Sequence, residues 1–257
     1  MNKAIFIPVR LSSTRFPRKA IKKLDGKTCL EYLINRIKQI KNIDLIVLCT
    51  TTELIDDKLE ELAEKLNIEC FRGSKNDILK RYLDASEQFK VDLIINVDGD
   101  DIFCELDFIE ITLNEMTKMK NDIIIWKNMP IGTTPIGIKV DAIKKICSVK
   151  DVNNTDTGWP RLFTKTHMFK VKYLTSHNPE KLHPNLRLTL DYPQDLEFFK
   201  KILEKLCEPI RLKDIVKLVK KEPKLLEINS YLSDMWKKNF EMKSTKIKIK
   251  DLDDVNL

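Results

Sequence analysis

The chain has 257 residues, 42% of them hydrophobic and 33% charged, with a formal net charge of +7 at neutral pH. This length supports one large domain, or a domain with an appendage, around a sizeable core. No apolar run approaches the ~20 residues of a membrane-spanning helix, and the short apolar opening leads straight into a basic loop, unlike a signal peptide. A cytoplasmic protein with no membrane partner is expected. Cys29, Cys49, Cys70, Cys104, Cys147 and Cys207 are scattered without a C-x-x-C pair, which favours reduced thiols over disulfides or a zinc site. The positive charge is mostly lysine mixed with acids, as in Asp57-Lys58-Leu59-Glu60-Glu61, and no nucleic-acid-binding motif accompanies it. Nucleic acid is therefore not an expected partner.

The opening segment, Ala4 to Val9, reads as a short buried strand interrupted only by Pro8. It runs into Arg10, Arg15, Arg18 and Lys19, with Ser12, Ser13 and Thr14 between them. A strand end that fixes a loop of cations and hydroxyls suits a polyphosphate, and a solvated basic loop is the plainer alternative. Neither a Walker A sequence nor G-x-G-x-x-G is present.

Apolar spacing predicts helices over Leu30–Ile40, Asp56–Leu66 and Asp77–Phe89, and buried strands over Leu45–Thr50, Ile68–Phe71 and Leu93–Val97. Apolar strands alternating with helices imply a parallel sheet covered on both faces, with ligands beyond the carboxyl ends of its strands. Polar clusters fall at those ends. Phe71-Arg72-Gly73-Ser74-Lys75-Asn76-Asp77 reads as a turn into a helix, capped by Ser74 or Asn76. Asn96-Val97-Asp98-Gly99-Asp100-Asp101 places three acids within four residues. Such acids repel one another unless a cation holds them, so Mg²⁺ is one explanation and an acidic turn with a helix cap the other.

Further on, residues 122–126 suit a strand, Ile131–Val140 a glycine-punctuated loop leading to a strand, and Asp141–Val149 a helix. Asp156-Thr157-Gly158-Trp159-Pro160-Arg161-Leu162-Phe163 suggests a shaped loop. His167, His177 and His183 have no metal-like spacing; His167 reads as structural and His183 remains an outlying candidate. Arg187–Leu190 alternates like a strand, and Pro193 fits the first turn of a following helix, with Asp195 also able to serve its start. Helices at Leu212–Val219 and about Leu225–Phe240 follow, then a Lys243–Lys250 stretch that suits an edge strand or a solvated tail.

Ile7 to Lys19, followed by Leu24-Asp25-Gly26-Lys27-Thr28, resembles the opening of the cytidylyltransferases that activate acidic sugars. This family includes the CMP-3-deoxy-manno-octulosonate and CMP-acylneuraminate synthetases and the SpsF-like spore-coat polysaccharide proteins. Val9 stands where Ala is common. The R-G-S-x-x-D-I-L-x-R-Y stretch from Arg72 is similar to the SpsF-like pattern. Asn96 to Asp101 resembles the family's N-V-Q-G-D-E, with Asp98 in place of Gln, and Leu186 to Glu197 resembles its L-R-L-T-v-D-t-P-e-D-L-e, with Tyr192 in place of Thr.

The resemblance implies a single nucleotide-diphospho-sugar-transferase (GT-A-like) α/β domain over residues 1–207. Its mixed, mostly parallel sheet would lie between helices, followed by a helical extension and basic tail over 208–257. It implies transfer of CMP from CTP to an acidic sugar or related anionic acceptor, with release of pyrophosphate, by a homodimer. Pro8, Val9, Arg10, Ser12, Arg15, Lys19 and Asp98 would bind the nucleotide, with Arg72, Ser74 and Asp77 at the cytosine end and Arg81 as an ion-pair partner. Arg10, Lys19, Asp100 and Asp191 would be catalytic, with Asp100 and Asp191 holding Mg²⁺. Residues 120–175 correspond to the acceptor and dimer region, where Trp159 and Arg161 would bind the acceptor or form an interface. Asp98-Gly99-Asp100 also looks like the D-x-D of related glycosyltransferases, which use a finished nucleotide sugar and have no need of the basic loop. A non-catalytic nucleotide-sugar or nucleic-acid binding module is the third possibility.

Overall fold

The computed structural model describes residues 1–176, 182–244 and 248–249. The apolar opening is β1 (Lys3–Pro8). A small hairpin, β2 (Lys23–Leu24) and β3 (Lys27–Thr28), turns on Asp25 and Gly26, both at positive φ, as an Asp-Gly turn requires. Thr28 then caps α1 (Cys29–Ile37) in a reciprocal pair with Glu31. The expected alternation continues through β4 (Leu45–Thr51), α2 (Asp57–Lys65), β5 (Glu69–Gly73), α3 (Ile78–Phe89) and β6 (Leu93–Asn96). Leu30, Leu33, Ile34 and Ile37 of α1 are all buried, each worth about 1.5–3 kcal/mol relative to exposure.

Next come α4 (Leu106–Thr117), β7 (Ile123–Trp126), β8 (Ile136–Lys139), α5 (Val140–Val149), the single turn α6 (Arg161–Thr164) and β9 (Val171–Leu174). Neither α4 nor β9 was anticipated from the sequence. The buried residues of α4 are Leu106, Ile109, Thr112, Leu113 and Met116, a helical spacing partly masked by a threonine on the inner face. That threonine is satisfied there: it donates to the Phe108 carbonyl and accepts from the Trp126 indole.

Seven strands form one sheet in the order β5-β4-β1-β6-β8-β7-β9. Pairing is parallel from β5 to β6, antiparallel on both sides of β8, and parallel again between β7 and β9. The sheet is therefore mixed and mostly parallel, with one reversed strand. Buried side chains cover both of its faces: Ile5, Ile7 and Leu48 belong to one apolar cluster, and Ala4, Phe6, Val47 and Cys49 to the other. This is the doubly covered α/β arrangement expected from the apolar strands.

The chain closes with α7 (Pro193–Lys205), α8 (Leu212–Lys221) and α9 (Leu232–Lys243). Two expectations need correction. Residues 187–190 do not form a strand; one parallel bridge joins Arg187 to Ile131. The Leu188 amide donates to the Ile131 carbonyl and the Leu190 amide to the Asp100 carbonyl, so the segment stitches two loops together instead of extending one ladder. Nor does a helix run from Leu225 to Phe240. A 3-10 turn (Pro223–Ile228) and α9 are separated near Asn229, whose buried side chain donates to the Arg187 carbonyl and to Asp195. Ile210, Leu212, Ile215, Val219 and Leu226 of the extension lie in the same apolar cluster as Ile5 and Leu30. Of the Lys243–Lys250 stretch, Ile249 pairs with Lys150, while residues 245–247 and 250 lie outside the described residues, as does His177.

Candidate active site

Beyond the carboxyl ends of β1 and β6 lies a cleft of about 590 Å³. The loop after β1 is shaped by its own backbone and by Asp56. Leu11 is buried and its amide donates 2.8 Å to the carboxylate of the fully buried Asp56, which also accepts from the Thr51 hydroxyl. The Arg18 amide closes the loop onto the Leu11 carbonyl, and Arg18 itself takes a left-handed conformation that turns the chain into the short helical turn beginning at Lys19. Pro8, Val9, Arg10, Ser12, Arg15 and Lys19 all line the cleft.

The acidic turn after β6 lies against this loop. The Gly99 amide donates to the Pro8 carbonyl, and a Cβ at Gly99 would come within 2.8 Å of the Val9 side chain, closer than real Cβ atoms approach. A glycine is what lets the acids and the cations share one floor. The third wall comes from the 187–191 segment. It presses against Gly132, which has φ +86 and where a Cβ would come within 2.4 Å of the Leu188 carbonyl carbon.

These three segments bring Lys19, Asp100 and Asp191 together. The Lys19 ammonium donates to Asp100 at 2.5 Å and to Asp191 at 2.8 Å. Arg15 also pairs with Asp191, whose second oxygen faces the buried Arg187 at 3.4 Å. Arg187 in turn holds Asp195 at 2.9 Å, and Asp195 accepts the backbone amides of Asp191 and Tyr192. Asp195 thus caps α7, as its position suggested, and also fixes the loop that carries Asp191.

The charges respond accordingly. Burial alone would raise the pKa of Asp191, but Lys19 and Arg15 outweigh it and hold the carboxyl at about 2. Burial would likewise lower the Lys19 pKa, but Asp100 and Asp191 more than reverse it, so the ammonium stays charged. Asp98 is accessible to water yet lies on the floor of a concave site. The surrounding protein displaces bulk solvent and, with the neighbouring charge of Asp100, pushes it up to about 6, against a hydrogen bond from Asn96. Asp101 is driven well above its usual range by burial and then by Asp100 and Asp98. Ligand oxygens of Asp98, Asp100 and Asp101 lie within 4.8 Å of one another. Such a crowded oxygen set has the donor chemistry of a hard divalent cation such as Mg²⁺; Asp191, expected to share that cation with Asp100, is outside this set and is engaged by Lys19, Arg15 and Arg187.

Other sequence candidates separate. Trp159 lines the cleft, although its ring is mostly buried against Tyr82 and Phe163. Arg161 does not line it; both of its close contacts are with Glu241, at 2.7 Å, and its guanidinium lies over the Phe240 ring. Arg72, Ser74 and Asp77 also lie away from the cleft. Arg72 pairs with Asp57 and Glu60 at the far side of β5 and donates to two backbone carbonyls. Ser74 accepts from the Asp77 amide, and Asp77 caps α3, pairs with Lys150 and accepts from the Thr155 hydroxyl. Arg81, read as an ion-pair partner, does line the cleft, with Asp156 at 3.8 Å. His183 is used locally, accepting from the Asn185 amide.

Several lining residues were not singled out from the sequence. Asp156 pairs with Arg10 as well as Arg81; burial raises its pKa against both arginines. Its place beside Thr157-Gly158-Trp159 was the available signal, but nothing in the spacing points to Arg10, 146 residues away. Trp236, Phe240 and Lys243 of α9 also line the cleft. Their spacing puts them on one helix face, yet the sequence does not reveal what that face meets.

The sequence model of the cytidylyltransferase family matches residues 4–229. The chain belongs to the cytidylyltransferase family. It is similar, at 29% identity over 228 residues, to the uncharacterised protein MJ1063 of Methanocaldococcus jannaschii, covering 87% of this chain and 93% of that protein. It is also 26% identical over 233 residues to the spore coat polysaccharide biosynthesis protein SpsF of Bacillus subtilis, covering 87% and 96%. A solved cytidylyltransferase from Leptospira borgpetersenii superposes with a TM-score of 0.80 at 26% identity, over 88% of this chain and 97% of that one. A CMP:2-keto-3-deoxy-manno-octonic acid synthetase complexed with CTP shares the fold, with a TM-score of 0.61 at 12% identity over 80% of this chain and 99% of that one. This cytidylyltransferase is thus a nucleotidyltransferase, and the reading as a glycosyltransferase gives way. No helix among its described residues is long and apolar enough to cross a membrane.

Proposed function

We propose that this cytidylyltransferase transfers CMP from CTP to an acidic sugar, releasing pyrophosphate, to supply a surface polysaccharide or glycoconjugate. The observation that carries the reading is the convergence of Arg10, Arg15 and Lys19 on the same floor as Asp98, Asp100 and Asp191. Transfer of a ready-made sugar releases no pyrophosphate and does not need such a cationic loop. In this reading an acceptor hydroxyl oxygen attacks the α-phosphorus of CTP, the bond to the β-phosphate breaks, and the hydroxyl proton leaves to solvent. Arg10, Arg15 and Lys19 neutralise the β- and γ-phosphates and the charge that grows on pyrophosphate as it departs. Asp100 and Asp191 would hold Mg²⁺, which when bound neutralises phosphate charge and eases ionisation of the attacking hydroxyl. Arg187 and Asp195 keep Asp191 in place. Little covalent work is asked of the protein; positioning carries the step. A cytoplasmic homodimer completes the proposal.

The test is pyrophosphate release with Mg²⁺, crossing CTP, UTP, ATP and GTP with acidic sugars and neutral hexoses. The expected result is release with CTP and one acidic sugar, abolished by EDTA and reduced at least about 10³-fold in Asp100→Asn, which should stay folded. No release with any pair overturns the proposal, and full activity in Asp100→Asn removes the metal assignment.

A further inference from the structure

Asp156 stands between two arginines, one in the core and one in the cleft. Arg81, on α3, is buried, and its Nη2 lies 3.8 Å from Asp156 Oδ1. Its Nε and Nη1 have no hydrogen-bond partner among the described residues. The second oxygen of Asp156, Oδ2, accepts from Arg10 Nη2. Side-chain exposure rises from 2% at Arg81 to 18% at Asp156 and 34% at Arg10, so the charges run in order from the interior outwards. All three residues line the cleft. The backbone beneath Asp156 is fixed without help from either arginine. The Thr155 amide donates 2.9 Å to the Asn76 carbonyl, and the Thr155 hydroxyl accepts from the Leu79 amide at 3.3 Å. Residue 155 is thereby tied to the start of α3, the helix that carries Arg81. On its other side the loop is held by Trp159, whose ring packs against Tyr82 of the same helix. The same order recurs on the wall formed by residues 187–191, where buried Arg187 faces Asp191 and Asp191 pairs with Arg15.

We propose that Asp156 is a positioning residue for the transfer reaction. Anchored by Arg81 behind it, it fixes the Arg10 guanidinium for the triphosphate, and it acts only through Arg10. A loose arginine side chain samples many rotamers, and ordering it when a ligand arrives weakens binding. A carboxylate that orders it beforehand removes that loss. The pairing engages one of the three guanidinium nitrogens of Arg10, so the others can still donate to phosphate oxygens. An unbalanced carboxylate at this point would repel those phosphates. The buried Arg81 offsets its charge, and Asp156 in turn gives that interior cation a counter-ion. The inference deepens the proposed reaction and rests on the reading that Arg10 binds the β- and γ-phosphates.

The experiment is a double-mutant cycle read by calorimetric titration of CTP in the presence of Mg²⁺, which needs no acceptor. Wild type is compared with Arg10→Gln, Asp156→Asn and the variant carrying both changes. Each single change is expected to weaken CTP binding about tenfold, and the double variant should bind within about twofold of Arg10→Gln alone, because residues that act as one unit are not additive. In the pyrophosphate-release assay Asp156→Asn should raise the CTP KM and leave the acceptor KM within about twofold, a split that a general loosening of the fold would not produce. A circular dichroism melt on every variant checks the fold. Asp156→Glu, which keeps a counter-ion for Arg81, should melt like wild type and recover part of the lost affinity. If Arg10→Gln weakens CTP binding while Asp156→Asn leaves it unchanged or tightens it, the inference alone is overturned. Single losses that multiply in the double variant also overturn it, because Asp156 would then act independently of Arg10. Wild-type affinity in Arg10→Gln, or no CTP binding by wild type, overturns the parent reading of the loop and this inference with it.

Discussion

Two stretches of this chain look alike in composition and do opposite things. The loop from Arg10 to Lys19 follows a strand of the parallel half and the segment from Arg72 to Arg81 starts at the end of one, and both mix arginine and lysine with serine or threonine. In the first, most of the cations face the cleft, and the acids they meet, Asp100, Asp156 and Asp191, come from distant parts of the chain. In the second, Arg72 is engaged by Asp57 and Glu60 of the neighbouring helix, and Asp77 by its own helix start and by Lys150. A basic segment opens onto a cleft when its partners are side chains on the cleft floor. It becomes scaffolding when they belong to the adjoining helix. Of the charged residues in the second stretch, only Arg81, its last, lines the cleft.

The largest effect that tests this contrast is expected at Lys19. Lys19→Met should lower kcat/KM for pyrophosphate release about 10²–10³-fold, the usual cost of removing one preorganised charge from such a site. Arg15 and Arg187 still face Asp191, so circular dichroism should show an intact fold. A variant with wild-type kinetics would mean that the loop is not the phosphate cradle. Asp77→Ala should act on stability instead, by about 3 kcal/mol in denaturant unfolding, because it leaves the buried Lys150 uncompensated and uncaps α3. Its turnover per folded molecule should not change. Arg72→Ala should do least, about 0.5 kcal/mol, since its carboxylate partners are solvent-exposed and screened. A rise in the CTP KM for either of these two would return the segment to the cytosine end of the pocket.

The parallel half of the fold was legible because each strand is a run of apolar residues and each helix keeps one apolar stripe, patterns set by local periodicity. Asp100 and Asp191 were singled out by the resemblance of their segments to the family's motifs, and the fold brings both to the Lys19 ammonium. The failures share one cause. Arg187–Leu190 alternates like a strand, but its inward Arg187 is stabilised by Asp195 and Asn229, a partnership no local pattern reports. The break near Asn229 has the same origin, since that side chain is claimed by a segment 42 residues earlier. Asp156 and the face of α9 were missed because their meaning depends on what folds against them. Likewise, Thr112 on the inner face of α4 is polar by composition and interior by virtue of the Trp126 indole.

The buried knot of Arg187, Asp195 and Asn229 has a consequence for how the protein can be cut and rebuilt. Because one knot ties the tail to the loop that carries Asp191, residues 208–229 are not an ornament that shortening can remove. A chain ending before Asn229 would strip Asp195 of one donor and the Arg187 carbonyl of its partner, in a place water does not reach. Limited proteolysis should therefore find the catalytic body and the tail melting as one cooperative unit, and a minimal domain should be sought after this point, never before it.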